Sequence, residues 1–281
     1  MAFNIEAIAT ARDRFLSLIG TRPVIMGIVN VTPDSFSDGG LFATREAALA
    51  QAKKLVRDGA DIVDVGAEST RPGHTPLTVE EEWARLEPLL AALVAQAGAP
   101  VSIDTYKAET ARRGLATGVC VVNDVWGLQR DPEMAPTIAE AGAAVVIMHN
   151  REATDLHIDI VADMKRFFAR SLDIARRAGV PERHILLDPG IGFGKSREQN
   201  YKALRAVPEL LALGFPLLIG VSRKSLFKDL GDGVIEGRLI GTLAANLLAA
   251  RDGAQVFRVH DVAEHRAAFE VLRILAGPPG G

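Results

Sequence analysis

The sequence predicts a single-domain α/β protein, a (β/α)8 barrel with an extra helix at its N-terminus. Three observations predict it. Eight short apolar runs, rich in valine or isoleucine, recur along the chain; segments of helical periodicity lie between most of them; and a glycine closes nearly every helical segment just before the next apolar run. Near-continuous apolar runs suit strands covered on both faces, as in a parallel sheet, and each parallel connection needs a crossover long enough to hold a helix.

Taken in order, residues 1–20 mix charges into an apolar pattern, which fits a helix capping the barrel bottom and lacks the uninterrupted apolar core of a secretory signal. The strands follow as VIMGIVN (24–30), DIVDVGA (61–67), VSIDT (101–105), VVNDV (121–125), AVVIMH (144–149), ILLDPG (185–190), LLIGVS (217–222) and VFRVHD (256–261). In the segment after the first strand, Ala48, Ala52, Leu55 and Val56 form one stripe and Gly59 stops the helix. The same ending recurs at Gly98, Gly118, Gly142, Gly179, Gly214 and Gly253. A doubly wound open sheet is the structural alternative, but no GxGxxG follows the first strand and polar residues end every strand instead of clustering at one switch point. With no interdomain linker, residues 1–281 read as one domain with its core over about 24–275.

A net charge of −3 argues against a nucleic-acid or anionic-membrane surface. No run reaches the roughly 18 apolar residues that a membrane-spanning helix requires. The single cysteine, Cys120, sits in an apolar run and excludes an intrachain disulfide, so a cytoplasmic protein is expected.

Barrel active sites are built at the carboxyl ends of the strands. Those ends carry Asn30; Glu68 and then Ser69, Thr70 and Arg71; Asp104; Asn123 and Asp124; His149; Asp188; Ser222, Arg223 and Lys224; and Arg258, His260 and Asp261. Any one Asp after a strand is commonly a turn residue or helix cap. As a set they say more. Buried carboxylates at Asp104 and Asp188 need donors, and with the Asn123 amide they could read the edge of a flat, nitrogen-rich heterocycle. Lys224 could serve as a cation on that ring or as a Schiff-base lysine. Asn30, Arg258 and His260, from neighbouring strands one and eight, suit an anion pocket, directly or through Mg2+; for Arg258 a structural salt bridge fits equally well. Ser222 precedes an expected helix, RKSLFKDL, whose first N–H groups could receive a second anion.

Two loops, 30–42 and 68–78, are too long for mere connectors and read as movable walls. Across them Asp38 could pair with Arg71, while Phe36 and Pro72 could sandwich an aromatic ligand. The segment DPGIGFGKS resembles a nucleotide-binding loop only superficially, because Pro189 stands where its first glycine should be. Phe193 and Lys195 are expected on a third active-site loop, flexible because glycines flank them.

GIVNVTPDSFSDGG, DVGAESTRPG, SIDT, NDV, DPGIGFGK, SRKS and RVHDV, in this order over about residues 24–265, resemble the dihydropteroate synthase family. The resemblance implies a (β/α)8 barrel that condenses 6-hydroxymethyl-7,8-dihydropterin pyrophosphate with p-aminobenzoate to 7,8-dihydropteroate and pyrophosphate. It implies that Asp104, Asn123, Asp188 and Lys224 hold the pterin, with Met148 and Phe193 in apolar contact. Asn30, Thr70, Arg258 and His260 would hold pyrophosphate and Mg2+, with Asn30 the metal ligand. Phe36, Arg71, Pro72, Ser222 and Lys224 would hold p-aminobenzoate, and Asp38, Arg71 and Lys224 would act in catalysis. Sulfonamide inhibition and a homodimer are expected by the same analogy. The chain departs from the family at MHNREATDLHIDI after strand five and at LFK after SRKS. Pterin-binding methyltransferases share the acid–Asn–acid pocket but lack the NVTPDSFSDGG and STRPG loops; a non-catalytic pterin-binding paralogue and a Schiff-base aldolase are the remaining alternatives.

Overall fold

The protein is described from a computed structural model covering residues 2–31, 40–68, 75–229 and 235–276. Eight parallel strands run β1 (Val24–Asn30), β2 (Ile62–Gly66), β3 (Val101–Asp104), β4 (Val121–Asp124), β5 (Ala144–Met148), β6 (Ile185–Asp188), β7 (Leu218–Ile219) and β8 (Val256–Val259). Each pairs with its sequence neighbour, β8 returns to β1, and a bridge between Leu187 and Leu217 joins β6 to the start of β7, closing the barrel. The eight expected strands are all present. The seventh is shorter than its apolar run because the chain turns away after Ile219 into the Gly220–Lys224 segment.

Helices α1 (Ile5–Leu16), α2 (Gly40–Arg57), α3 (Val79–Gln96), α4 (Ala108–Ala116), α5 (Met134–Ala141), α6 (Ile160–Ala178), α7 (Arg197–Arg205), α8 (Val207–Leu211), α9 (Ile235–Arg251) and α10 (Val262–Ala276) surround the strands. Their ends follow local chemistry. Thr78 and Ser196 form reciprocal capping boxes with Glu81 and Gln199 at the starts of α3 and α7, and Asp159 caps α6. The punctuating glycines 59, 98, 118, 142, 179, 214 and 253 all take positive φ, a conformation that costs glycine no Cβ clash.

The core is the strand shell packed under the helices: Ile25, Met26, Ile62, Ile103 and Phe257 are wholly buried. Helix α1 closes the amino ends of the strands, as expected. Arg12 donates to the Gly142 carbonyl and Arg14 to that of Gly98 at 3.2 Å, both in turns that lead into strands. The opposite rim, where the strands end, is left for a site.

Candidate active site

The sequence-predicted residues at strands three, four, six, seven and eight converge on this rim. Asp104, the last residue of β3, is in register with Asn123, the last residue but one of β4, and Met148 is in register with Asp188 at the ends of β5 and β6. Two glycines make room for the acids: a Cβ at Gly66 would lie 3.2 Å from Asp104 Cβ, and one at Gly220 would lie 3.4 Å from Asp188 Oδ2. Asp188 Oδ1 accepts the Gly190 N–H at 2.7 Å.

At the centre stands Asp64, an acid within β2 that the strand-end reading passed over. It is fully buried; its Oδ2 accepts from Arg258 Nε at 2.6 Å and from Asn123 Nδ2 at 3.1 Å. Arg258 NH2 reaches Asp104 Oδ2 at 2.8 Å. The signal was in the sequence, as a carboxylate interrupting the apolar run Ile62–Val65. By holding the Asn123 amide through its NH2 group, Asp64 turns the amide oxygen away as a free acceptor. Asn123 Oδ1, Asp104 Oδ1 and Asp64 Oδ1 are buried with no hydrogen-bond partner among the described residues. Buried acceptors left in this state are costly, and donors on a ligand would satisfy them.

Burial pushes the Asp104 carboxyl up to about 7, against the pull of Arg258 and with the help of Asp64's charge. Burial likewise raises Asp188, opposed by Lys224. It lowers the Lys224 amine to about 8, opposed by Asp188. Lys224 Nζ donates to the Ile191 carbonyl and stands 4.6 Å from the centroid of the Phe193 ring. The site therefore combines buried acceptors with a cation that sits over an aromatic ring.

Geometry agrees with one of two open readings and alters two expectations. Arg258, read as an anion ligand or a structural ion-pair partner, is committed to two carboxylates, so its guanidinium joins the acid cluster. Ser222 does not open a helix: its hydroxyl lies 2.9 Å from His260 Nδ1 and accepts the His260 backbone N–H at 3.1 Å. The expected RKSLFKDL helix is a single 3-10 turn, Ser225–Phe227, with the exposed Ser225 at its start. Arg223, at a left-handed φ of 55°, is held there by two hydrogen bonds to Asp261. The third loop is not loose either: Lys195 is buried and donates to the carbonyls of Gly190, Phe193 and His149.

Asn30 is exposed at the end of β1. Phe36, Asp38, Thr70, Arg71 and Pro72 lie outside the described residues. The remaining strand-end acids and histidine serve structure. Asp124 accepts the Trp126 and Leu128 N–H groups, Glu68 accepts from Tyr106, Lys107 and the Leu77 N–H, and His149 lies 3.3 Å from Asp163. The atypical segment after β5 is integrated into the fold through Asn150 on the Val125 carbonyl and Arg151 on Asp163.

Among the described residues no three His, Cys, Asp or Glu side chains group as a metal site. Mg2+ commonly takes only one or two protein ligands and completes its shell with water and phosphate oxygens, so a single exposed amide such as that of Asn30, at the end of β1, is compatible with an ion that arrives with a phosphate ligand.

Comparison with known proteins agrees with this arrangement. Residues 26–260 match the family described as pterin binding enzyme. The chain is 42% identical to dihydropteroate synthase of Clostridium beijerinckii over 92% of this chain and 96% of that one. It superposes with a TM-score of 0.88 on the Clostridium difficile dihydropteroate synthase solved in the presence of pteroic acid, at 47% identity over 92% of this chain and 98% of that one. A Yersinia pestis dihydropteroate synthase in complex with a sulfonamide drug gives a TM-score of 0.84 at 37% identity, covering 91% and 95%. With eight closed parallel strands and a converging Asp104–Asn123–Asp188–Lys224 set, the chain belongs to the pterin binding enzyme family, among its dihydropteroate synthases.

Proposed function

We propose that the protein condenses 6-hydroxymethyl-7,8-dihydropterin pyrophosphate with p-aminobenzoate to form 7,8-dihydropteroate and pyrophosphate. The observation that carries this reading is the set of buried acceptors at Asp104 and Asn123 that have no partner among the described residues, on the same rim as Asp188 and Lys224. A pterin presents ring N–H and amino donors along one edge and acceptors elsewhere, which is the complement of that set.

The bond between the pterin methylene and its pyrophosphate oxygen breaks first, and the electron pair leaves with pyrophosphate. The electron-rich dihydropterin ring stabilises the cationic methylene. The neutral arylamine nitrogen then forms the new C–N bond and releases its proton to pyrophosphate or water. Such a path asks for no strong base; the protein contributes orientation, charge complementarity and exclusion of competing water. Asp104, Asn123 and Asp188 fix the ring edge, Lys224 supplies a cation to the ring, and Met148 and Phe193 give apolar contact. Asn30, Thr70 and His260 receive the pyrophosphate, with Arg258 contributing charge from its place among the acids. Mg2+, bound with the substrate at Asn30, would neutralise negative charge on the leaving group. Phe36, Arg71 and Pro72 would wall the p-aminobenzoate site beside Lys224 and Ser222, with Asp38 pairing to Arg71 across the loops. Sulfonamides, which resemble p-aminobenzoate, would compete there.

A homodimer is part of this reading. The exposed Ile240 and Leu248 on α9 and Val271, Ile274 and Leu275 on the adjacent α10 account for most of the exposed large apolar residues among those described. No described helix is long and apolar enough to cross a membrane, and Cys120 is a buried free thiol, in keeping with a cytoplasmic location. The test is pyrophosphate release from the pterin pyrophosphate with and without p-aminobenzoate, Mg2+ and a sulfonamide. Sustained turnover that requires the arylamine to capture the cationic methylene, and requires the metal, with sulfonamide competing against p-aminobenzoate, is expected. Methyl transfer or no turnover would overturn the assignment. Asp38→Ala and Arg71→Ala should each reduce turnover or raise the p-aminobenzoate KM.

A further inference from the structure

The loop between β6 and α7 is wrapped around one buried amine. Lys195 Nζ donates to Gly190 O at 2.8 Å, to Phe193 O at 3.2 Å and to His149 O at 3.4 Å. Two of these carbonyls belong to the loop itself and the third to the end of β5. The amine makes no ion pair with a described carboxylate; burial lowers it to about 7, opposed by the more distant charge of Asp188. Burying an ammonium without a counter-ion costs several kcal/mol, so a simple space-filling role would favour an apolar residue at this position. An ammonium has one property an apolar side chain lacks: three donors diverging from one atom, able to gather three carbonyls at once.

The gathered backbone leads directly into the site. Between the two loop carbonyls lies Ile191, whose own carbonyl receives the Lys224 ammonium, and Phe193 sets its ring 4.6 Å from that ammonium. The loop is also pressed against the β5 end. A Cβ on Gly190 would lie 1.8 Å from His149 O, and one on Gly194 would lie 2.4 Å from Arg151 O. Asn200 ties the far side, accepting the Gly192 N–H at 2.6 Å and donating to Lys195 O at 3.3 Å.

We infer that Lys195 is a positioning residue for the pterin site: by drawing the His149, Gly190 and Phe193 carbonyls together, it fixes the loop that orients Lys224 and Phe193. This rests on the pterin reading above. It predicts that the buried amine, which would touch no substrate, controls affinity for the pterin and leaves the arylamine site alone.

Lys195→Met removes all three donors and keeps a long apolar stem; Lys195→Gln keeps two donors. Three quantities are read for each: the calorimetric Kd of 6-hydroxymethylpterin, the KM of each substrate, and hydrogen exchange at the Gly192 and Phe193 amides. Lys195→Met should bind the pterin at least about tenfold more weakly and exchange faster at those amides, with the p-aminobenzoate KM changed less than about twofold; Lys195→Gln should fall between it and wild type. Either folded variant binding the pterin as tightly as wild type, with only a lowered melting temperature, would overturn the inference and leave a structural role. If Lys195→Met does not fold, the Lys195→Gln affinity decides alone. Wild-type protein that binds no pterin would refute the functional reading itself, and this inference with it.

Discussion

Asp104→Asn should make the ligand-free protein more stable at pH 8 and a poorer binder of its pterin. The substitution keeps shape and removes a charge from a side chain that is 10% exposed. Burial raises the Asp104 carboxyl from 3.8 to about 7, a net effect that already includes the attraction of Arg258. A native-state value above the unfolded one means the folded protein holds the proton more tightly. The stability tied to this group is therefore fully present below about pH 3.8 and is lost as pH rises through about 7. A rise of roughly three units corresponds to at most about 4 kcal/mol by pH 8. Asparagine, fixed in the neutral state, should recover part of that, with the gain shrinking toward zero near pH 4. Binding moves the other way, because a charge-assisted acceptor is worth about 1.5–3 kcal/mol, or roughly 10- to 150-fold in Kd. Urea unfolding of both proteins at pH 4.5 and pH 8, with calorimetry of 6-hydroxymethylpterin at pH 8, measures both effects. An Asp104→Asn protein less stable than wild type at pH 8 would refute the reasoning, since the 2.8 Å bridge to Arg258 would then outweigh the cost of the buried charge.

The kcat/KM for the pterin substrate should peak between about pH 7 and about 8: protonation of Asp104 below this window removes an acceptor, and deprotonation of Lys224 above it removes the cation. A profile flat from pH 6 to 9 would exclude both groups. Gly190→Ala combines a φ of +63° with a Cβ only 1.8 Å from a backbone oxygen, and should destabilise the fold by at least about 3 kcal/mol in urea titrations; unchanged stability would show that the packing of the β6–α7 loop on the end of β5 is looser than described. If the proposed homodimer forms through the exposed α9–α10 face, Leu248→Glu combined with Ile274→Glu should yield a monomer where the wild type sediments as a dimer in analytical ultracentrifugation, and an unchanged sedimentation coefficient would refute that interface.

Much of the site was legible because strand ends are local features. Asp104, Asn123 and Asp188 each terminate an apolar run, and barrel geometry then places such residues on one rim. Asp64 escaped notice because it lies inside its strand, and only the closed barrel shows that its neighbours are Arg258 and Asn123. The glycines around Phe193 and Lys195 suggested mobility, since glycine widens backbone freedom. In the fold that freedom is spent on close approach to the β5 end, and Lys195 fastens the result.

The sequence by itself determined the eight strands, the helical segments between most of them with their glycine stops, and the residue types on the catalytic rim. These follow from periodicities and capping chemistry that operate within a few residues. Tertiary structure alone decided the partners. Arg258 meets Asp64 across 194 residues, Ser222 turns to His260 instead of heading a helix, and the Asn123 amide is oriented by a buried acid two strands away. A hydrogen bond is short-ranged and directional, so which of many compatible donors and acceptors pair is fixed only when barrel closure brings them within about 3 Å.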